Sequence, residues 1–95
     1  MAFSIRFSEE KNQLLKATRG IGFDEVIQHL MGGDLLAEKI HPHKSRLHQR
    51  LYIVKIENYA YVVPYVINEQ KEEIFLKTAY PSRRFTRLYI KEGDK

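Results

Sequence analysis

Two adjoining runs, Arg50 to Ile56 and Asn58 to Ile67, set the tightest limit on what this chain can fold into. Both are rich in β-branched and aromatic residues, the types that suit a pleated, packed surface. A two-residue turn at Glu57-Asn58 joins them as a hairpin and opposes Ile56 to Tyr59, Val54 to Tyr61 and Tyr52 to Val63. Successive side chains of a strand point to opposite faces. One face therefore collects Tyr52, Val54, Ile56, Tyr59, Tyr61, Val63 and Tyr65, and the other Leu51, Ile53, Ala60, Val62 and Val66, with Lys55 among them. A sheet that is apolar on one side needs one covering layer; this one needs two. Helices are expected over one face and a further element over the other. Pro64 has no N–H to give a ladder, so it marks an edge position or a bulge.

The cover for the first face lies upstream. Phe3, Ile5 and Phe7 alternate with Ser4 and Arg6 as a short strand or extended lead-in. Ser8, followed by Glu9 and Glu10, has the chemistry of an N-cap with acids in the first turn. A helix is expected from about Glu9 to Thr18, with Leu14 and Leu15 facing the core, and Gly20 and Gly22 stop it. Phe23, Val26, Ile27, Leu30 and Met31 fall at i, i+3, i+4, i+7 and i+8, one apolar stripe of a second helix that ends at Gly32-Gly33. The two read as an αα-hairpin. His29 lies outside the stripe and is expected in solvent.

Downstream the pattern is looser. Leu35 to Ile40 reads as a strand, His41 to Gln49 as a polar loop, Asn68 to Glu73 as another loop, and Glu73 to Ala79 as a third strand after the hairpin. Pro81 stands where a helix would begin. A helix over Ser82 to Lys91 would gather Arg83, Arg84, Arg87 and Lys91 on one arc and Phe85, Leu88 and Tyr89 on the opposite one. The alternation of Thr86, Leu88 and Ile90 also permits a strand. The fold class is α+β: an N-terminal αα-hairpin packed on a three- or four-stranded antiparallel sheet, then a short basic C-terminal helix, in a single domain over residues 1–95.

Charge is sorted along the chain. Of 16 Lys and Arg residues, 10 lie in two stretches without any acid: Lys39 to Ile56, with Lys39, Lys44, Arg46, Arg50 and Lys55, and Leu76 to Lys91, with Lys77, Arg83, Arg84, Arg87 and Lys91. Charge placed this way makes a local positive field that a polyanion would feel. The net charge of +4 is too small for a blanket coat, so placement matters more than total. The chain has no cysteine, which excludes disulfides, thiolate catalysis and Cys-ligated zinc. No apolar run approaches the roughly 20 residues of a membrane span, and the N-terminus lacks the apolar core of a signal peptide. A cytoplasmic protein without membrane contact is expected.

Three segments resemble a known family. KATRGIGFDEVIQ is similar to the "K…RGI.F..V" helix-turn-helix opening of the BrnT family of bacterial toxins. RLYIVKIENYAYVVPYV resembles that family's central hairpin, and EIFLKTAYPSRRFTRLY its closing "I…SARKAT...Y" signature. The matches run from about residue 6 to 90, in order. Arg83, Arg84, Thr86 and Tyr89 align with the Arg, Lys, Thr and Tyr of the closing signature, while Tyr80-Pro81-Ser82 departs from the usual small residues there. The resemblance implies a RelE-like fold, a ribonuclease activity that arrests translation, and a cognate antitoxin protein that masks the active site.

Such a reaction asks for particular side chains. RNA carries its own nucleophile, the 2′-OH, which must be held in line with phosphorus. Charge building on the phosphoryl oxygens must be met, and guanidinium groups meet it bidentately without a metal. Arg83, Arg84 and Arg87, with Arg50 or Lys77 from the sheet, fit that task, and His48, Tyr89 and Lys77 are candidates for moving protons. Arg46, Arg50, Lys55, Arg87 and Lys91 are candidate RNA contacts. Each residue also has a plainer reading. The arginine run is by default a solvated face, and the tyrosines of the hairpin are core or sheet-surface residues before they are stacking platforms for bases. His41, Pro42 and His43 with His48 give three imidazoles, but a proline-containing loop does not preset a zinc site, and no metal or cofactor is assigned. The alternative function is a module, or an inactive toxin, that binds nucleic acid or a protein partner without chemistry.

Overall fold

The computed structural model describes residues 3–40 and 49–90. In chain order the elements are β1 (Ser4–Arg6), α1 (Glu9–Arg19), α2 (Phe23–Met31), β2 (Leu35–Ile40), β3 (Arg50–Ile56), β4 (Tyr59–Asn68), β5 (Glu73–Leu76), β6 (Tyr80–Pro81) and α3 (Arg83–Tyr89). The α+β class holds. The sheet is larger than expected and mixed: six strands in the order β1-β5-β4-β3-β2, with β6 also on β4. The lead-in strand β1 joins the far edge in parallel with β5, from Ser4 opposite Glu73 to Arg6 opposite Phe75. Pattern alone could not place so short a strand.

The central hairpin has the expected register throughout, from Ile56 opposite Tyr59 to Arg50 opposite Tyr65. Its turn residues Glu57 and Asn58 have φ of 54° and 63°. Two consecutive positive φ values give the turn a twist that matches the strands it joins. Pro64 lies neither on an edge strand nor in a bulge. It sits within β4 opposite Leu51. Alternation of bonded and non-bonded pairs turns its nitrogen away from β3, toward the break between β5, which pairs from Tyr65 onward, and β6, which pairs at Tyr61 and Val62. No ladder donor is needed there. The Pro64 carbonyl accepts from Lys77 N at 2.8 Å.

Both faces are covered. On the first, Val54, Ile56, Val63, Tyr65 and Leu76 pack with Phe23 and Val26 of α2 and Leu15 of α1. Phe23 and Val26 are wholly buried, and side chains of this size contribute roughly 1.5–3 kcal/mol each on leaving water. The stripe of α2 stops short: Met31 is 72% exposed. On α1 only Asn12 and Leu15 face inward, and Leu14 stands in solvent at 52% exposure because one narrow contact is all this helix makes. On the second face Leu51, Ile53, Ala60 and Val62 lie under Phe85 and Tyr89 of the C-terminal helix and Ile90 at its C-cap. The helical reading of that segment is the one observed; the strand reading is not. Its cap is Ser82, whose Oγ accepts from Phe85 N at 3.1 Å, so Pro81 belongs to β6 and not to the first helical turn.

A buried amide links α1 to α2. Asn12 Oδ1 accepts from Phe23 N at 2.6 Å, and Ser8 caps α1 by accepting from Lys11 N. Gly22 passes so close that a Cβ there would lie 2.6 Å from Asn12 Oδ1. Lys16 can swing aside from the same atom, but Asn12 cannot move without losing Phe23 N. Gly22→Ala should therefore destabilise by about 1–3 kcal/mol, read as a lower urea midpoint with an unchanged slope. An unchanged midpoint would mean that the amide contact is not rigid.

Beneath α2, Tyr65 spans three strands. Its ring is wholly buried and stacks on Tyr52 at 3.9 Å between centroids, with 12° between planes. Its hydroxyl donates to the Glu38 carboxylate of β2. Burial first, then that hydrogen bond, holds the Tyr65 hydroxyl far above the ordinary tyrosine range. Burial also raises Tyr52 and Tyr61. These tyrosines serve as core and sheet surface.

Candidate nucleic-acid interface

Helix α3 sits on the sheet through a divided surface. Phe85 and Tyr89 are half-buried against β3 and β4, their rings 6.0 Å apart. Thr86 fixes the height of the helix: its Oγ1 accepts from the buried Ala60 N at 2.9 Å and donates to Ser82 O at 2.7 Å. The Ala60 carbonyl accepts in turn from Ser82 N. The edge of β4 that no strand covers is thus closed by the helix cap. Thr86→Val keeps the shape and removes the acceptor. Leaving the Ala60 N–H unmet should cost about 1–3 kcal/mol, and amide hydrogen exchange at Ala60 should accelerate by the same factor as the fall in global stability. Slow exchange in the variant would contradict the docking.

Arg83, Arg84 and Arg87 of this helix are exposed. Leu88, expected on the packing arc, is 56% exposed beside them. The described ion pairs are Arg6–Glu73 and Lys16–Asp24, and the His29 ring is hydrogen-bonded with Asp34; none of these uses a cation of α3. His29 is accordingly half-buried and paired at 2.8 Å, not free in solvent. The Arg84 guanidinium lies 5.6 Å from the Phe85 ring. Between α3 and the sheet runs a cleft of about 300 Å³, lined by Lys39, Leu51, Tyr80, Arg84, Phe85 and Leu88.

Strand register decides which other cations join. Lys55, opposite Ala60, is on the α3 face. Lys39 is opposite Leu51, on the same face, with Nζ 6.0 Å from the Tyr89 ring. Lys77 follows Phe75 on that side, with Nζ 5.7 Å from the Phe75 ring. Arg50 does not join. It shares parity with Tyr52 and Val54, which puts it on the opposite face, beside Tyr65. His48, Arg46 and Lys91, with His41 and His43, lie outside the described residues.

Comparison of the chain with family models, with curated proteins and with solved structures finds no match. Among the described residues no cluster of three or more metal-ligating side chains occurs, and no helix is long and apolar enough to cross a membrane. The perturbed tyrosines Tyr52 and Tyr65 belong to the opposite face, so they do not serve this surface as acids or bases. The surface under α3 offers fixed positive charge with aromatic and aliphatic groups beside it, a pairing that suits a phosphate chain bearing flat bases. Lys39, counted in the first basic stretch, and Tyr80 are lining residues that the sequence pattern did not assign to the site. The signal for Lys39 was parity with Leu51 across the β2–β3 pair.

Proposed function

We propose that this chain is an RNA-cleaving toxin of the BrnT-like kind that its three motifs resemble, with a RelE-like arrangement of its elements, acting in the cytoplasm and held in check by an antitoxin protein. The observation that carries the reading is the triple of exposed arginines, Arg83, Arg84 and Arg87, on a helix pinned to the sheet by Phe85, Thr86 and Tyr89. A pinned helix fixes the positions from which its three arginines reach out, so their positive charge is gathered on one face before substrate arrives, and charge placed in advance favours a phosphoryl-transfer transition state.

In this reaction the 2′-oxygen attacks the adjacent phosphorus, the bond to the 5′-oxygen breaks, and a cyclic phosphate and a 5′-hydroxyl result. Arg83 and Arg84 meet the charge on the non-bridging oxygens, and Arg87 with Lys39 holds the flanking phosphates. One proton leaves the 2′-OH and one reaches the 5′-oxygen. Lys77 and Tyr89 on this face, and His48 outside the described residues, are the groups available for those transfers.

The test is expression from a tightly repressed promoter in a bacterial host, with growth and the 5′ ends of cellular RNA followed together. Growth arrest with new, sequence-biased RNA ends is the expected result. Normal growth and intact RNA, from protein shown to be folded, would replace this reading with that of a binding module or an inactive toxin.

A further inference from the structure

Among the described residues, helix α3 does not cover the whole of its sheet face. Phe85, Tyr89 and Ile90 pack over Leu51, Ile53, Ala60 and Val62. Further along, Val66 of β4 and Phe75 of β5 are register partners on the same face, both half-buried and neither part of that packed cluster. The Lys77 ammonium stands 5.7 Å from the Phe75 ring centre. On the next strand Arg6 is opposite Phe75, and Glu73 neutralises it at 3.2 Å. From Ile74 to Lys91 the chain has no acid.

We propose that Val66 and Phe75 form a shelf on which an unpaired nucleotide of RNA lays its base, with Lys77 meeting the adjoining phosphate. The shelf lies on the face that carries Arg84, and Tyr80, which shares a cleft with Arg84, is on this same face opposite Val62 of β4. A strand of RNA gripped at Arg84 thereby gains a second hold along β4 and β5. Lys77 is exposed and can swing from over the Phe75 ring onto the phosphate of a base stacked there, whereas an acidic peptide segment would use the charge and leave the ring idle. A base in a duplex has its faces covered by its neighbours and cannot take this position. The inference rests on the reading that this face binds RNA.

The test uses the full chain and fluorescence anisotropy with a short, unpaired, 2′-O-methylated RNA that cannot be cut, and a duplex of the same length. Phe75→Leu keeps an apolar side chain but removes the flat ring and should weaken binding of the unpaired RNA about tenfold, with the dependence on salt unchanged because no charge is lost. Phe75→Tyr should bind as the parent does, and duplex binding should be the same in all three. Lys77→Gln, an exposed substitution that does not endanger folding, should lower the salt slope by about 0.7. Unpaired-RNA binding untouched by Phe75→Leu, or weakened equally for duplex, would overturn the shelf. So would a salt slope unchanged in Lys77→Gln. Parent protein that holds no RNA would sink the shelf and the RNA-directed function together. The expected binding pattern from a chain that never cuts RNA in the cell would sink the ribonuclease reading and leave the shelf standing.

Discussion

Tyr65→Ala should destabilise the domain by about 3–5 kcal/mol, the largest stability effect of any single change described for this protein. The ring is wholly buried, and its loss empties a space bounded by Tyr52, the α2 contacts and β2. A domain whose whole stability is of order 5–15 kcal/mol would then hold a substantial unfolded population at growth temperature. Urea unfolding followed by circular dichroism measures it. Tyr65→Phe loses only the hydroxyl, and its acceptor Glu38 is exposed and can turn to water, so about 1 kcal/mol is expected. The two variants must also differ in alkali. The folded state holds the Tyr65 proton far more tightly than the unfolded chain, whose tyrosines titrate near 10. Above that pH the unfolded state binds fewer protons, so stability falls as pH rises, by up to about 1.4 kcal/mol per pH unit for this one group, and is untouched below it. Tyr65→Phe should flatten that alkaline decline. A decline equally steep in both would place the hydroxyl in water.

Arg83→Ala/Arg84→Ala should abolish growth arrest and the RNA ends that accompany it, while thermal unfolding moves little, because both side chains are exposed and surface changes usually stay within about 0.5 kcal/mol. Binding to unpaired RNA should weaken, and its salt slope should fall by about 1.4, two phosphate contacts at roughly 0.7 each. Arg50→Ala is the matched control. It removes the same kind of charge from the opposite face of the sheet and should leave arrest and cleavage intact. Toxicity that survives the double substitution would remove the site from α3. Toxicity lost equally in Arg50→Ala would mean that total charge, not its placement, is what matters.

Much of the architecture was legible because alternation and turn chemistry agree. Glu57-Asn58 fixed the hairpin register, and that register sorted Leu51, Ile53, Ala60 and Val62 onto the face α3 covers. The helix caps at Ser8 and Ser82 obey equally local chemistry, though Ser82 displaced Pro81 from the first turn. What stayed hidden depends on distant pairing. Nothing local to Ser4–Arg6 announces a parallel partner at Glu73, and nothing local to Tyr80–Pro81 shows that it returns to β4 beyond a break in β5. Arg50 shows the limit for the site. Charge counted along the chain puts it with Lys55, and parity across the strand puts the two on opposite faces. Leu14, Met31 and Leu88 were misplaced because a helical stripe states which side is apolar but not how far the neighbouring surface extends.

The parallel seam between β1 and β5 has a kinetic meaning. It closes a loop of about 70 residues, whereas the central hairpin closes over two. The entropy of that closure is met only once β5 already has β4 to lie against, so the seam belongs to the late side of the folding barrier. Ile5 and its neighbours should then speed unfolding when weakened and leave the folding rate alone. During synthesis the edge of β5 is made with its eventual cover already tethered at the other end of the chain, a capping strand that waits for its place and trades the edge of β5 for its own edge of only three residues, across the sheet from β2.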